Sequence, residues 1–399
     1  MRSVRLTTRV AALTAVAALA ATMGVTATAS ASTTHPRATA RAQRWSQVTP
    51  NGMDTNADIG LAGGAHGVLN VIWSSGENTA GHGAVHDTQI GASGAVGRPA
   101  TIISGQFTVT DPAATAVPGH VDAIWNGITN STGHTQGSFI SARASAGGRW
   151  SAPAVIPPLT AAPDTSSSDS AATGADNKPW VAYFGSFALS YVHVGHPVRE
   201  IATKGCCLYN PGFGVDGRTG ATYLSYLSLI SHHSGIYVQE LAQTGALVGK
   251  PVHLPGSATL MNQRVAITAD GHGRKGVYVL YGASSPFIRD LDLYRVGSRR
   301  PVRLALAPGL TNIAGEAVTP AASGALWAAW FYGDGSTPEL FVRLSNKAVS
   351  KWGKVARIGL PSGLTNLWKI YISPEGSKLV ILALITRHGK TAYWETQVG

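Results

Sequence analysis

His232-His233, Tyr209 and His388 are the side chains in this sequence best suited to take a proton from a substrate, and Glu316 is an acid–base candidate of the same weak kind. Glutamate is scarce around them; only Glu77 and Glu316 fall near the expected binding face. Tyr209 and Trp368, with Phe287, Phe331 and Tyr332, offer flat faces on which sugar rings could stack. Asn210, Asn262, Asn312 and Asn366, with Arg264, Arg289 and Arg387, offer hydrogen-bonding groups beside them. That inventory suits holding a glycan better than cleaving one. A histidine pair in an exposed loop is ordinarily just solvated, and scattered arginines are ordinarily surface residues. No His/Cys cluster stands at ligand spacing, so neither a metal nor a cofactor is expected.

Cys206 and Cys207 are the only cysteines, and they are adjacent. In an exported chain the neighbour is the only intramolecular partner. A bond between them would close a small ring far from ordinary disulfide geometry and constrain almost no loop. Its value would be local, as a rigid apolar plate. Two free thiols, or bonds to a second molecule, are the alternatives.

The elements that position these residues are short strands. With 47 Gly, 21 Pro and only 13% charged residues, the composition reads as strands joined by tight turns. A β-run ending in an aromatic recurs at Gly67–Trp73, Gly119–Trp125, Lys178–Tyr183, Gly220–Tyr226, Gly276–Tyr281 and Gly324–Trp330. Gly376–Leu384 repeats it without the aromatic, and the interval is roughly 50 residues throughout. A small-residue strand precedes each run (Val265–Asp270, Gly315–Thr319), and an alternating strand follows it (Ile236–Glu240, Glu339–Leu344). A fourth comes after a basic or Gly turn (Arg149–Ile156, Gly249–Leu254, Lys351–Ile358). Seven such units predict an all-β, seven-bladed β-propeller over residues 43–399, with six or eight blades as alternatives. The last unit ends after its third strand, Thr391–Gln397, while Arg44-Trp-Ser-Gln-Val48 repeats the pattern of Arg149-Trp-Ser. The N-terminal strand is therefore expected to complete the last blade and close the ring. A sandwich pair or an open solenoid leaves the missing strand unexplained.

In such a ring, loops joining fourth to first and second to third strands share one face. Asn56, Asp111, Asp169, Asn210, Asn262, Asn312 and Asn366 each stand at the start of a first strand. They predict either a ring of polar groups around the channel mouth or, more simply, an Asx-turn at each strand start.

Arg2, Arg5 and Arg9, the apolar run Val10–Ala21 and the small-residue site Ala29-Ser-Ala31 read as a signal peptide over residues 1–31. Residues 32–42 read as a disordered leader. No later segment is long and apolar enough to span a bilayer. Secretion as a monomer is the expectation. The net charge of +11 admits a polyanionic partner, but the basic residues are scattered, and no specific nucleic-acid binding is expected.

Gly205-Cys-Cys-Leu-Tyr-Asn-Pro211, Gly214-Val-Asp216 and Tyr223-Leu-Ser-Tyr226 resemble a blade of secreted bacterial propellers in the sialidase-like, BNR-repeat superfamily. The Asp-box of that superfamily, Ser-x-Asp-x-Gly-x-x-Trp, survives only as Ser345 and Trp352, with Lys347 and Val349 in place of Asp and Gly. The resemblance implies a propeller and admits sialidases, other glycosidases, polysaccharide lyases and pure binders. Sialidase chemistry would ask Arg264, Arg289 and Arg387 to converge, and would need a Tyr–Glu pair that the sequence does not show. A lyase would need only a base such as His232, His233, Tyr209 or His388. The expectation is a non-catalytic binder of a glycan or cell-envelope polymer. A glycosidase or lyase acting on an acidic glycan and a protein-interaction platform are the alternatives.

Overall fold

The computed structural model describes residues 43–76, 82–109, 112–128, 136–156, 169–185, 188–202, 208–230, 234–257, 266–269, 276–283, 289–306, 312–333 and 338–399. They form seven antiparallel sheets arranged as the blades of a propeller. Blades are numbered here by the chain order of their inner strands: Gly60–Gly63, Ala113–Val117, Asp169–Thr173, Leu208–Val215, Ala266–Ala269, Ile313–Pro320 and Leu364–Glu375. In blade 2 a second short strand, Thr108–Val109, pairs beside the inner strand on His120–Ile128.

The ring closes as the strand count requires. Ser46 pairs with Glu395 and Gln47 with Trp394, so the first strand forms the outer edge of blade 7. Side chains lock that edge in place. The Trp45 indole donates to the Gly359 carbonyl at 2.7 Å, and the Thr49 hydroxyl accepts the Tyr393 amide at 3.0 Å.

Hydrophobic cores lie between neighbouring blades. The aromatics that end the second strands, among them Trp125, Tyr183, Tyr281 and Trp330, are buried there. Alternation along each strand sends successive side chains to opposite faces. Blade 6 shows this clearly: Trp330 and Tyr332 enter the core shared with blade 5, and Phe331 the core shared with blade 7. Small residues on the inner strands follow from crowding at the axis. A Cβ on Gly60 would strike the backbone of Ala113 and Ala114 in the next blade.

The hairpin after the third strand of blade 6 joins Ser345 and Trp352 as a β-bridge. The turn survives the loss of an Asp and a Gly by substitution of function. Asn346 Oδ1 accepts the amides of Ser350 at 2.9 Å and Lys351 at 3.1 Å. Val349 takes up a left-handed backbone, φ 54°, which a β-branched residue adopts only under strain.

Candidate functional site

The channel contains a cavity of about 270 Å³ bounded by residues from the inner strands of all seven blades. Most of its wall is Gly, Ala and Ile. Among the described residues, the one carboxylate lining it is Glu316, from blade 6, which is 2% exposed. Neither carboxylate oxygen finds a hydrogen-bond partner among the described residues. Burial in these surroundings pushes its carboxyl up to about 8, and the nearby main-chain amide of Gly282 opposes the shift only in part.

Above the cavity, at the face where the inner strands begin, blades 7 and 1 meet in a polar cluster. Asp58 is buried and accepts from the Tyr371 phenol at 2.6 Å. Lys369 binds the same carboxylate and also the Asn56 carbonyl. The Tyr371 oxygen in turn accepts the Ile59 amide at 3.2 Å. These residues come from segments more than 300 positions apart, and the ring closure alone makes them neighbours.

Trp368 sits beside this cluster. The pairing register slips between Leu367 and Lys369, and the bulge throws the intervening indole out of the ladder. Trp368 is 40% exposed, yet its orientation is fixed, because the indole N–H donates to Thr386 Oγ1 at 2.9 Å. Thr386 is itself bonded to Thr391 across the hairpin at 2.8 Å. The result is a rigid, solvent-facing aromatic plate with Lys369 next to it in the chain.

The other residues singled out from sequence divide into groups. Asn366, Trp368, Arg387 and His388 all lie at this end of blade 7. Arg387 is committed to structure, donating to the Ser362 carbonyl at 2.7 Å and lying over the Trp394 ring at 5.2 Å. His388 occupies a left-handed turn position with its amide on the Gly363 carbonyl at 3.2 Å. Asn366 Oδ1 accepts the amide of the next residue, Leu367, at 2.9 Å, a local use of the side chain. Tyr209 and Asn210 lie in blade 4, on the far side of the ring from blade 7, where the ladder bulges between Tyr209 and Gly212. Asn210 lines the axial cavity, and Tyr209 packs partly into the core shared with blade 5. Asn312 precedes the inner strand of blade 6, with its Oδ1 buried and without a partner among the described residues. Arg289 is half-buried just before the third strand of blade 5.

Phe331 and Tyr332 correct the expectation of a broad aromatic face. Both are buried between blades and cannot stack on a ligand. Their strand positions turn them into the cores, where the hydrophobic gain is larger. Cys206, Cys207, His232, His233, Asn262, Arg264, Phe287, Glu77 and Asp111 lie outside the described residues. Asp58, Lys369 and Tyr371 escaped the sequence reading, since no motif marks them.

No protein-family profile and no curated protein matches this chain. Solved structures do. An ulvan lyase of polysaccharide lyase family 25, bound to -[GlcA(1-4)Rha3S]-, superposes with a TM-score of 0.52 at 10% identity, over 87% of this chain and 95% of that one. Virginiamycin B lyase from Staphylococcus aureus gives 0.51 at 10% identity, over 90% and 99%. A Hadza microbial sialidase gives 0.50 at 11% identity, over 86% of this chain and 65% of that one. The chain is thus a seven-bladed propeller with a sialidase-like fold. At such identities the likeness extends to the fold and leaves activity to the site.

Proposed function

We propose that this chain is an exported, non-catalytic propeller that binds a glycan or cell-envelope polymer across its channel face, at the seam of blades 7 and 1. The observation that carries this reading is Trp368, exposed but held still by its bond to Thr386. A fixed indole presents a stacking surface at low entropic cost. Lys369, the next residue in the chain, reaches the exposed Asn56 of blade 1, whose side-chain amide is available for hydrogen bonding at the seam. Two buried carboxylates near the channel support binding over turnover: Asp58 is engaged by Lys369 and Tyr371, and Glu316 lines the axial cavity.

Binding of neutral and acidic cell-envelope polysaccharides to the secreted protein tests the proposal. Trp368→Ala is expected to weaken binding about tenfold or more, as loss of a central aromatic anchor does. The melting temperature should barely move. Equal binding by variant and parent removes the site. The catalytic alternative is tested in the same samples by the absorbance of unsaturated uronate, and sustained turnover would replace the binding reading. Export predicts a mature N-terminus at Ser32, read by N-terminal sequencing.

A further inference from the structure

Glu316 has no role in the seam site, and its surroundings pose a separate question. A carboxylate that is 2% exposed, with neither oxygen hydrogen-bonded among the described residues, is costly unless something neutralises it. It borders a cavity of about 270 Å³, room enough for an ion and several waters. The same cavity is bordered by Asn210 and Ser170, whose side chains carry neutral oxygens. Each inner strand pairs on its outer side only, so the inward backbone edges also face the axis. The groups available to ligate a cation are therefore oxygens, one of them charged. A site with one negative charge and otherwise neutral oxygens is balanced by one positive charge, and oxygen ligands select hard cations.

We propose that the axial cavity binds a single alkali cation, Na⁺ or K⁺, held by the Glu316 carboxylate and neutral oxygens of the channel wall. The ion replaces the carboxyl proton. Glu316–COOH and M⁺ become Glu316–COO⁻·M⁺, and one H⁺ leaves to solvent. The strands packed against the inner strand of blade 6 carry these titratable side chains among the described residues: Tyr278, Tyr281, Tyr332, Tyr371, Lys369 and Glu375. Tyr371 and Lys369 are taken up by Asp58, so Glu316 is the group that exchanges.

The test is thermal unfolding of the full chain in sodium, potassium or choline chloride at equal ionic strength. An alkali ion at ten times its Kd should raise the midpoint by about 2 °C over choline. Glu316→Gln, nearly isosteric and uncharged, should abolish the difference. The parent's apparent Kd should fall tenfold per pH unit up to about pH 8 and then level off. Three results overturn the proposal: no alkali-specific shift, an equal shift in Glu316→Gln, or a response confined to Ca²⁺ or Mg²⁺. If the variant does not fold, anomalous diffraction from crystals of the parent soaked in Rb⁺ decides: a peak beside Glu316 supports the site, and an empty channel overturns it.

Discussion

The Tyr371 phenol donates to Asp58 Oδ1 at 2.6 Å across the seam between the last and first blades. Beside it, the Tyr393 phenol donates to the Ala57 carbonyl at 2.6 Å. Two tyrosines of blade 7 thus pin the segment that leads into blade 1, and the bonds are buried. The closing strand is short, Ser46–Gln47, so these side chains carry much of the closure.

Removing either hydroxyl should loosen the ring. Tyr371→Phe leaves the buried Asp58 with one donor fewer and should cost about 1–3 kcal/mol. Tyr393→Phe orphans a neutral carbonyl and should cost about 1 kcal/mol. Denaturant titration of both variants checks the order; equal and negligible losses would show that the seam does not depend on them.

Val349 should reverse a familiar ranking. Alanine normally stabilises relative to glycine, but at φ 54° the Cβ itself is the source of strain. Val349→Gly should therefore be more stable than Val349→Ala by about 1 kcal/mol. Comparing the two small variants cancels most of the packing lost with the valine. The reverse order in a melt would mean that the turn relaxes.

Asp87 and Arg143 form an ion pair at 2.7 Å between blades 1 and 2, with both side chains buried. Arg143 also reaches Asn70, and Trp150 donates to Asp87 at 3.3 Å. Breaking the pair from one side leaves an uncompensated charge. Asp87→Ala should cost about 3–5 kcal/mol, whereas replacing both partners with apolar residues should cost less than the sum of the single changes. A double-mutant cycle measures the difference.

Glu316 also predicts how stability depends on pH when no alkali ion is present. Burial pushes its folded carboxyl up to about 8, well above the ordinary value of 4.5. Between those values the folded chain holds a proton that the unfolded chain has released. Stability contributed by this group is full below about pH 4.5, falls as pH rises and is lost above about 8, with a slope of ~1.4 kcal/mol per unit. Burial pushes Glu395 up as well, to about 7, with the same sign over a narrower window. Subtracting the profile of Glu316→Gln from that of the parent in choline buffer isolates Glu316. A flat difference would show that its carboxyl is not buried as described.

The architecture could be read from the chain because its cause is local and repeated. Each blade but the last, which takes its outer strand from the N-terminus, is a run of residues contiguous in sequence, so glycine turns, aromatic strand ends and strand counts recur in register. The want of a fourth strand after Thr391–Gln397 and the spare Arg44-Trp-Ser-Gln-Val48 likewise led to the closure seen at Ser46 and Glu395. Trp368 was recognisable as an aromatic near the mouth, but a tryptophan in a strand is ordinarily buried, as Phe331 and Tyr332 are in theirs. Only the bulge beside Leu367 decided that it faces water.

The sites depend on relations between blades, which periodicity does not encode. The small-residue run Gly315–Thr319 marks Glu316 as part of a first strand, but nothing local says which side chains of other blades its carboxylate meets. Asp58, Lys369 and Tyr371 meet because sheet twist and interblade packing bring the first blade round to the last, across more than 300 residues. The sequence by itself pointed to seven repeated four-stranded units and to closure of the ring by the N-terminal strand. The tertiary structure alone decided which side chains face solvent, which face the axis and which face one another, because those follow from rotations accumulated around the whole ring.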